Sequence, residues 1–147
     1  MREQPLSSSL VIGGITAAAT TGALIAMGRR QGSARLPFAA IGAAFSHQTT
    51  SAVDARLVLG GLVLHILAML VWSVVFVWVT RRLDGRDIVA AILTTMVAFA
   101  FSILVTQWRG SGLASVLPIG DLLVLALVFA AALVVGMRFA LPELRSA

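Results

Sequence analysis

Long apolar stretches alternate with short polar ones along the chain, and the apolar stretches exceed what a core helix of a soluble domain needs. Four stand out, at about residues 10–28, 57–80, 87–108 and 120–141. Each is close to the roughly 20 residues a helix requires to cross the hydrocarbon of a bilayer. The breaks between them are polar or carry turn residues: Arg29-Arg30-Gln31, then Arg81-Arg82-Leu83-Asp84-Gly85-Arg86, then Arg109-Gly110-Ser111-Gly112 through to Pro118. Asp84-Gly85 is a turn signature. Asp87 and Asp121 stand where the third and fourth spans begin, so each carboxylate complements a helix dipole. Pro142 closes the fourth span. Ala17-Ala18-Ala19 imitates a signal-peptide cleavage site, but the apolar run continues to Met27, so a retained helix is expected.

The 29–56 connection is long enough to hold structure of its own. Pro37 opens a segment, about 37–46, in which Phe38, Ile41 and Phe45 fall on one helical face. Pro favours a first helical turn. An interfacial helix lying on the membrane is expected here, with a re-entrant plug as the second reading. His47 to Ser51 reads as a polar loop. The pattern predicts an all-α integral membrane protein, a single membrane domain over 1–147, with four transmembrane helices in a compact bundle.

Within the spans, small residues recur at i+4. The first carries Gly14, Ala18, Gly22 and Ala26, the third Ala90, Thr94, Ala98, Ser102 and Thr106, and the fourth Ala132, Gly136 and Ala140. In the second, Gly61, His65, Ala68 and Trp72 share a face. Lipid supplies no hydrophobic force between helices, so close approach along such stripes provides the association energy. These stripes are read as helix-packing surfaces, and the match between the first and third predicts that those two helices are neighbours.

Composition agrees and narrows the chemistry. Hydrophobic residues make up 59% of the chain and charged residues 12%, against about 25% charged in soluble domains, and the mean hydropathy is +1.00. There is no Cys and no Lys, so thiolate catalysis, disulfides, Fe–S clusters and Schiff-base lysines are excluded. The net charge of +5 is the balance of 11 arginines, most of them flanking spans, against six acidic residues. The arginines read as headgroup contacts with the lipid bilayer, not as a nucleic-acid surface. Trp78 and Trp108, near opposite boundaries, with Arg81, Arg82 and Arg138, are the expected interface anchors. Four spans put both termini on one side, where six arginines stand against five on the other. The compact Arg81–Arg86 turn favours cytoplasmic termini in a bacterial inner membrane; the near balance also fits dual insertion.

His65 is the one ionisable side chain deep in a span, and such residues are costly in lipid. Three readings compete. The first is a neutral imidazole hydrogen-bonded to a hydroxyl on a neighbouring helix, with Thr94, Ser102 and Thr106 as candidate partners. The second is an axial ligand to haem or (bacterio)chlorophyll, with Gly61 leaving room for the macrocycle. Gly61, His65 and Trp72 resemble the ligand segment of bacterial light-harvesting polypeptides, which implies a pigment, although those have one span and a different Trp spacing. The third is a proton or solute path. His47 is the only other histidine, and no His-x-x-x-His or Glu-x-x-His spacing offers a metal site. No Asp or Glu lies deep in a span, unlike small multidrug exporters, and there is no Asn of the kind small fluoride channels use. Gly110-Ser111-Gly112 resembles the serine motif of intramembrane proteases but falls in a linker. The expected function is therefore a non-catalytic accessory or scaffold subunit that packs with other membrane protein subunits. A homo-oligomeric channel or transporter, and a haem- or pigment-binding subunit, are the alternatives.

Overall fold

A computed structural model describes residues 4–46, 54–84, 86–109 and 112–145, and among them every regular element is a helix. In chain order these are α1 (Gln4–Arg30), α2 (Leu36–Ser46), α3 (Ala55–Arg82), α4 (Asp87–Arg109), α5 (Leu113–Val116) and α6 (Ile119–Arg145). Four of them are long and apolar enough to cross a membrane, over Ser7–Arg30, Ala55–Arg82, Asp87–Val105 and Ile119–Ala140. The predicted spans fall inside these helices, which run a few residues further at most ends. His47, Gly110 and Ser111 lie outside the described residues.

Local chemistry sets the helix ends. α1 stops where Gly32 takes φ 95°. Its N–H bonds the Arg29 carbonyl at 3.2 Å and that of Ser33 bonds the Gly28 carbonyl at 2.9 Å, the paired bonds of a Schellman cap. Asp54 caps α3 by accepting the Arg56 N–H at 2.9 Å. Between α3 and α4 the chain reverses through Asp84 at φ 50°, a left-handed conformation that Asp tolerates better than most side chains.

α1 runs antiparallel to α6 and packs along it, with Arg30 near one end opposite Asp121 and Ile12 near the other opposite Gly136. α1 also packs along α3, and α4 leans on α3 and α6. The expected pairing of the first and third spans is therefore replaced: α1 takes α6 and α3 as its neighbours, and the third span (α4) is not among them. One apolar core joins Ile12, Phe76, Val77, Ala90, Phe129 and Leu133, and a second, nearer the α1–α2 connection, joins Leu24, Met27, Phe38, Leu117 and Leu125.

α2 departs from its expectation. Pro37, Phe38, Ala39, Ala40, Gly42, Ala43 and Ala44 are all buried, whereas Phe45 is exposed. Phe38, Ile41 and Phe45 therefore do not act as one membrane-facing stripe. α2 lies instead against the first turns of α3, through its small residues. A Cβ on Gly61 would be driven into the Phe38 carbonyl oxygen, and one on Gly42 into the Leu57 carbonyl oxygen. At 28 residues, α3 is about 42 Å long, longer than the hydrocarbon it would cross, and α2 packs beside its first portion.

Candidate functional site

The site is built around His65, ten residues into α3 and 6% exposed. Its Nε2 lies 2.9 Å from Thr20 Oγ1 on α1. Thr20 Oγ1 also lies 2.8 Å from the Thr16 carbonyl oxygen, one helical turn earlier. A hydroxyl has one proton, and a carbonyl only accepts. Both contacts are satisfied when Thr20 donates to Thr16 and receives the Nε2–H of His65. That arrangement assigns the Nε2–H tautomer and leaves Nδ1 as an acceptor lone pair. Among the described residues no side chain or backbone group bonds Nδ1. Phe38 of α2 meets the imidazole edge-on, with ring centroids 6.1 Å apart.

His65 and Thr20 line a half-open cleft of about 180 Å³ between α2–α3 on one side and α4–α5 on the other. Its wall is overwhelmingly apolar. The polar side chains on it are Thr20, His65 and Ser102, with the indole of Trp72. Trp72 packs edge-to-face on Phe101 at 6.3 Å. Phe45, Phe101 and Ile103 border the cleft and are exposed.

The predicted packing residues divide into used and unused. Ala90, Thr94, Ala98, Ala132 and Gly136 are buried, and a Cβ on Gly136 would come within 3.0 Å of Ile12 Cα. Gly61 is buried under α2; it leaves no room for a macrocycle, because the Phe38 backbone occupies that space. Ala68 and Trp72 are half-buried on the cleft, and Ser102 is exposed at its edge. Thr106 is helical, and its side chain lies outside the description. By contrast, Gly14, Ala18, Gly22 and Ala26 all face outward, and nothing lies within 4 Å of where a Cβ would stand on Gly14 or Gly22. The face of α1 that does pack is the opposite one: Ile12, Gly13, Thr16, Thr20, Leu24 and Met27. A Cβ on Gly13 would lie 2.7 Å from Leu70 Cδ2 and 2.9 Å from Ser73 Oγ.

The Nε2 partner of His65 is thus Thr20 on α1, and not the expected Thr94 or Ser102. Thr94 is buried with its hydroxyl unpaired, as are Thr80 and Thr95. Thr16 and Thr20, at i and i+4 on the unstriped face of α1, were the available signal. Among the anchors, Trp78 is exposed and carries the Arg82 guanidinium 5.3 Å from its ring centroid. Trp108, Arg81 and Arg138 are exposed. An ion pair ties the end of α1 to the start of α6, with Arg30 Nη2 2.7 Å from Asp121 Oδ1. Among the described residues no group of three or more His, Cys, Asp or Glu is placed to hold a metal ion. Comparisons with protein-family models, with curated proteins and with solved structures find no match for the chain.

Proposed function

We propose that the protein is a non-catalytic integral membrane subunit whose four long helices cross the bilayer and whose α1 outer face docks against a helix of another membrane protein. The observation that carries this reading is the orientation of the α1 stripe. Gly13, Gly42, Gly61 and Gly136 each meet a neighbouring helix within the chain. The stripe Gly14-Ala18-Gly22-Ala26 meets none, yet it has the small-residue spacing that lets helix backbones approach in lipid. Exposed side chains along the helices are large and apolar, Leu59, Ile88, Leu104 and Leu127 among them, which suits a lipid environment. The Arg81–Arg86 turn is the reason to place the α3–α4 connection and both termini in the cytoplasm.

The test is purification from native membranes in mild detergent with cross-linking, comparing wild type with Gly22→Leu and Gly13→Leu. Wild type is expected to bring down a distinct membrane protein in fixed ratio. Gly22→Leu should lose that partner while keeping its helicity and thermal stability, because its new side chain points outward. Gly13→Leu should instead destabilise the fold, because its side chain has to enter the α1–α3 contact. A wild-type protein that runs only as free monomer, with no cross-linked neighbour, refutes the reading. A homo-oligomer lost in Gly22→Leu would favour the channel alternative.

A further inference from the structure

The cleft carries an inference independent of the α1 face. We infer that it is a binding site for a slender lipophile bearing a single hydroxyl, which enters from the side and donates a hydrogen bond to His65 Nδ1.

Three observations converge. The first is polarity. In a mostly apolar cleft, whose other polar side chains are Thr20, Ser102 and Trp72, stands an imidazole that is 6% exposed and whose Nε2 is already committed to Thr20. The Thr20 hydroxyl proton is held by the Thr16 carbonyl, so the ring nitrogen left over is an acceptor. His65 lines the cleft, so an acceptor there meets only apolar neighbours unless an occupant supplies the donor, and such an occupant is favoured. The chemistry selected is therefore a donor such as a hydroxyl; an ether, ester or ketone oxygen brings only lone pairs.

The second observation is size and shape. About 180 Å³ falls below the roughly 300–1,000 Å³ of pockets that enclose drug-sized ligands. A tetrapyrrole does not fit, and the Gly61 side of His65 is closed by α2. A chain or single ring fits, with its remainder lying out of the open side. The third is the border of that opening. Phe45, Phe101, Ile103 and Ala114 are exposed along it, and Ser102 is the one polar side chain among its exposed described residues. His65 lies about 15 Å along α3 from its start, so the imidazole stands at acyl-chain depth, while Phe45 and residues 112–114 carry the cleft towards the α1–α3 and α4–α6 connections. An apolar occupant enters past Phe101 and Ile103 from the hydrocarbon.

An unbranched alkyl alcohol and an isoprenoid alcohol share this chemistry, and the experiment separates them. Trp72 is on the cleft wall, whereas Trp78 and Trp108 are exposed on helix surfaces. A Trp78→Phe/Trp108→Phe protein therefore reports on the cleft through Trp72 fluorescence alone. It is titrated in detergent with 1-dodecanol, with farnesol, and with the methyl ether of each. At least one alcohol is expected to saturate the signal and to bind about tenfold more tightly than its ether. That ratio should fall to about one in a His65→Phe version. Nitrogen-15 NMR of histidine-labelled wild type supplies a second readout that needs no variant to fold. Without ligand, Nε2 should show the protonated, pyrrole-type signal and Nδ1 the unprotonated, pyridine-type signal. The alcohol, and not the ether, should shift Nδ1. Equal affinity for alcohol and ether, absence of saturable binding by either alcohol, or an Nδ1–H tautomer would each overturn the proposal.

Discussion

Phe38 and Gly61 meet backbone to backbone, and that contact seats α2 on α3. A side chain at 61 has nowhere to go but into the Phe38 carbonyl, and neither backbone has a flexible end that gives way. Gly61→Ala is expected to destabilise the protein by about 1–3 kcal/mol or more, as overpacking does. Gly60, its neighbour in sequence, has nothing within 4 Å of a Cβ. Gly60→Ala should therefore be neutral or stabilising, by up to about 1 kcal/mol of helix propensity. Thermal denaturation of the two variants in the same detergent separates them. Equal behaviour would mean that α2 is not held against α3 in this way.

Thr20 and His65 make the second long-range prediction. Thr20→Val keeps the side-chain shape and removes the oxygen that accepts Nε2–H, leaving a buried donor unpaired, at about 1–3 kcal/mol. Thr20→Ser keeps the oxygen and should recover most of that loss. Combining Thr20→Val with His65→Phe should cost less than the sum of the two single changes. The coupling expected is about 0.6–1.7 kcal/mol, the range of interhelical hydrogen bonds in lipid. The measurement is a double-mutant cycle of unfolding free energies; additive single changes would show that the contact contributes nothing.

How far the sequence discloses this arrangement depends on what each residue has to satisfy. Span length and polarity are set by single-helix energetics, so the four long helices and the turn at Asp84 are legible from composition and turn chemistry alone. Pairing between helices is not. The stripe Gly14-Ala18-Gly22-Ala26 states that a helix can approach α1 closely, but the same spacing serves a neighbour within the chain or one outside it. Ile12, Thr16 and Thr20 on the other face do the internal packing, with Gly13 allowing α3 close. The same ambiguity governs His65. Its need for a hydroxyl partner follows from burial in an apolar span, but Thr94, Ser102, Thr106 and Thr20 satisfy that need equally until helix neighbours are known. For α2 the helix itself is legible from Pro37 and the run that follows, but the aromatic periodicity does not disclose that its Ala and Gly residues pack it tightly on α3.

Arg30 and Asp121 are unequal partners. The Arg30 side chain is 63% exposed and that of Asp121 only 11%, so water competes strongly for the arginine. Removing Arg30 is expected to cost little, about 0.2–1 kcal/mol. Asp121 also stands in the first turn of α6, where a negative charge is favoured by about 0.3–1 kcal/mol. Asp121→Asn should therefore destabilise more than Arg30→Gln, and added salt should shrink the Arg30→Gln effect further. Denaturation curves at low and high ionic strength check both the ranking and its salt dependence; the reverse ranking would place the contribution of Asp121 elsewhere.

The proposed membrane topology is open to a direct test because the chain has no Cys, so single-cysteine variants need no prior substitutions. Gln31, Arg86 and Ser115 are all exposed and lie in or beside the connections between the long helices. If the four helices cross the bilayer in sequence, residues 31 and 115 share one side and residue 86 lies on the other. A membrane-impermeant maleimide added to intact cells or sealed vesicles should label Gln31→Cys and Ser115→Cys together, and Arg86→Cys only after the membrane is opened. With cytoplasmic termini, the labelled pair is the external one. Labelling of all three variants to about half completion would instead reveal insertion in both orientations, which the nearly even arginine count permits. Labelling of residues 31 and 115 from opposite sides would contradict the four-span path itself, since it requires an odd number of crossings between α1 and α6.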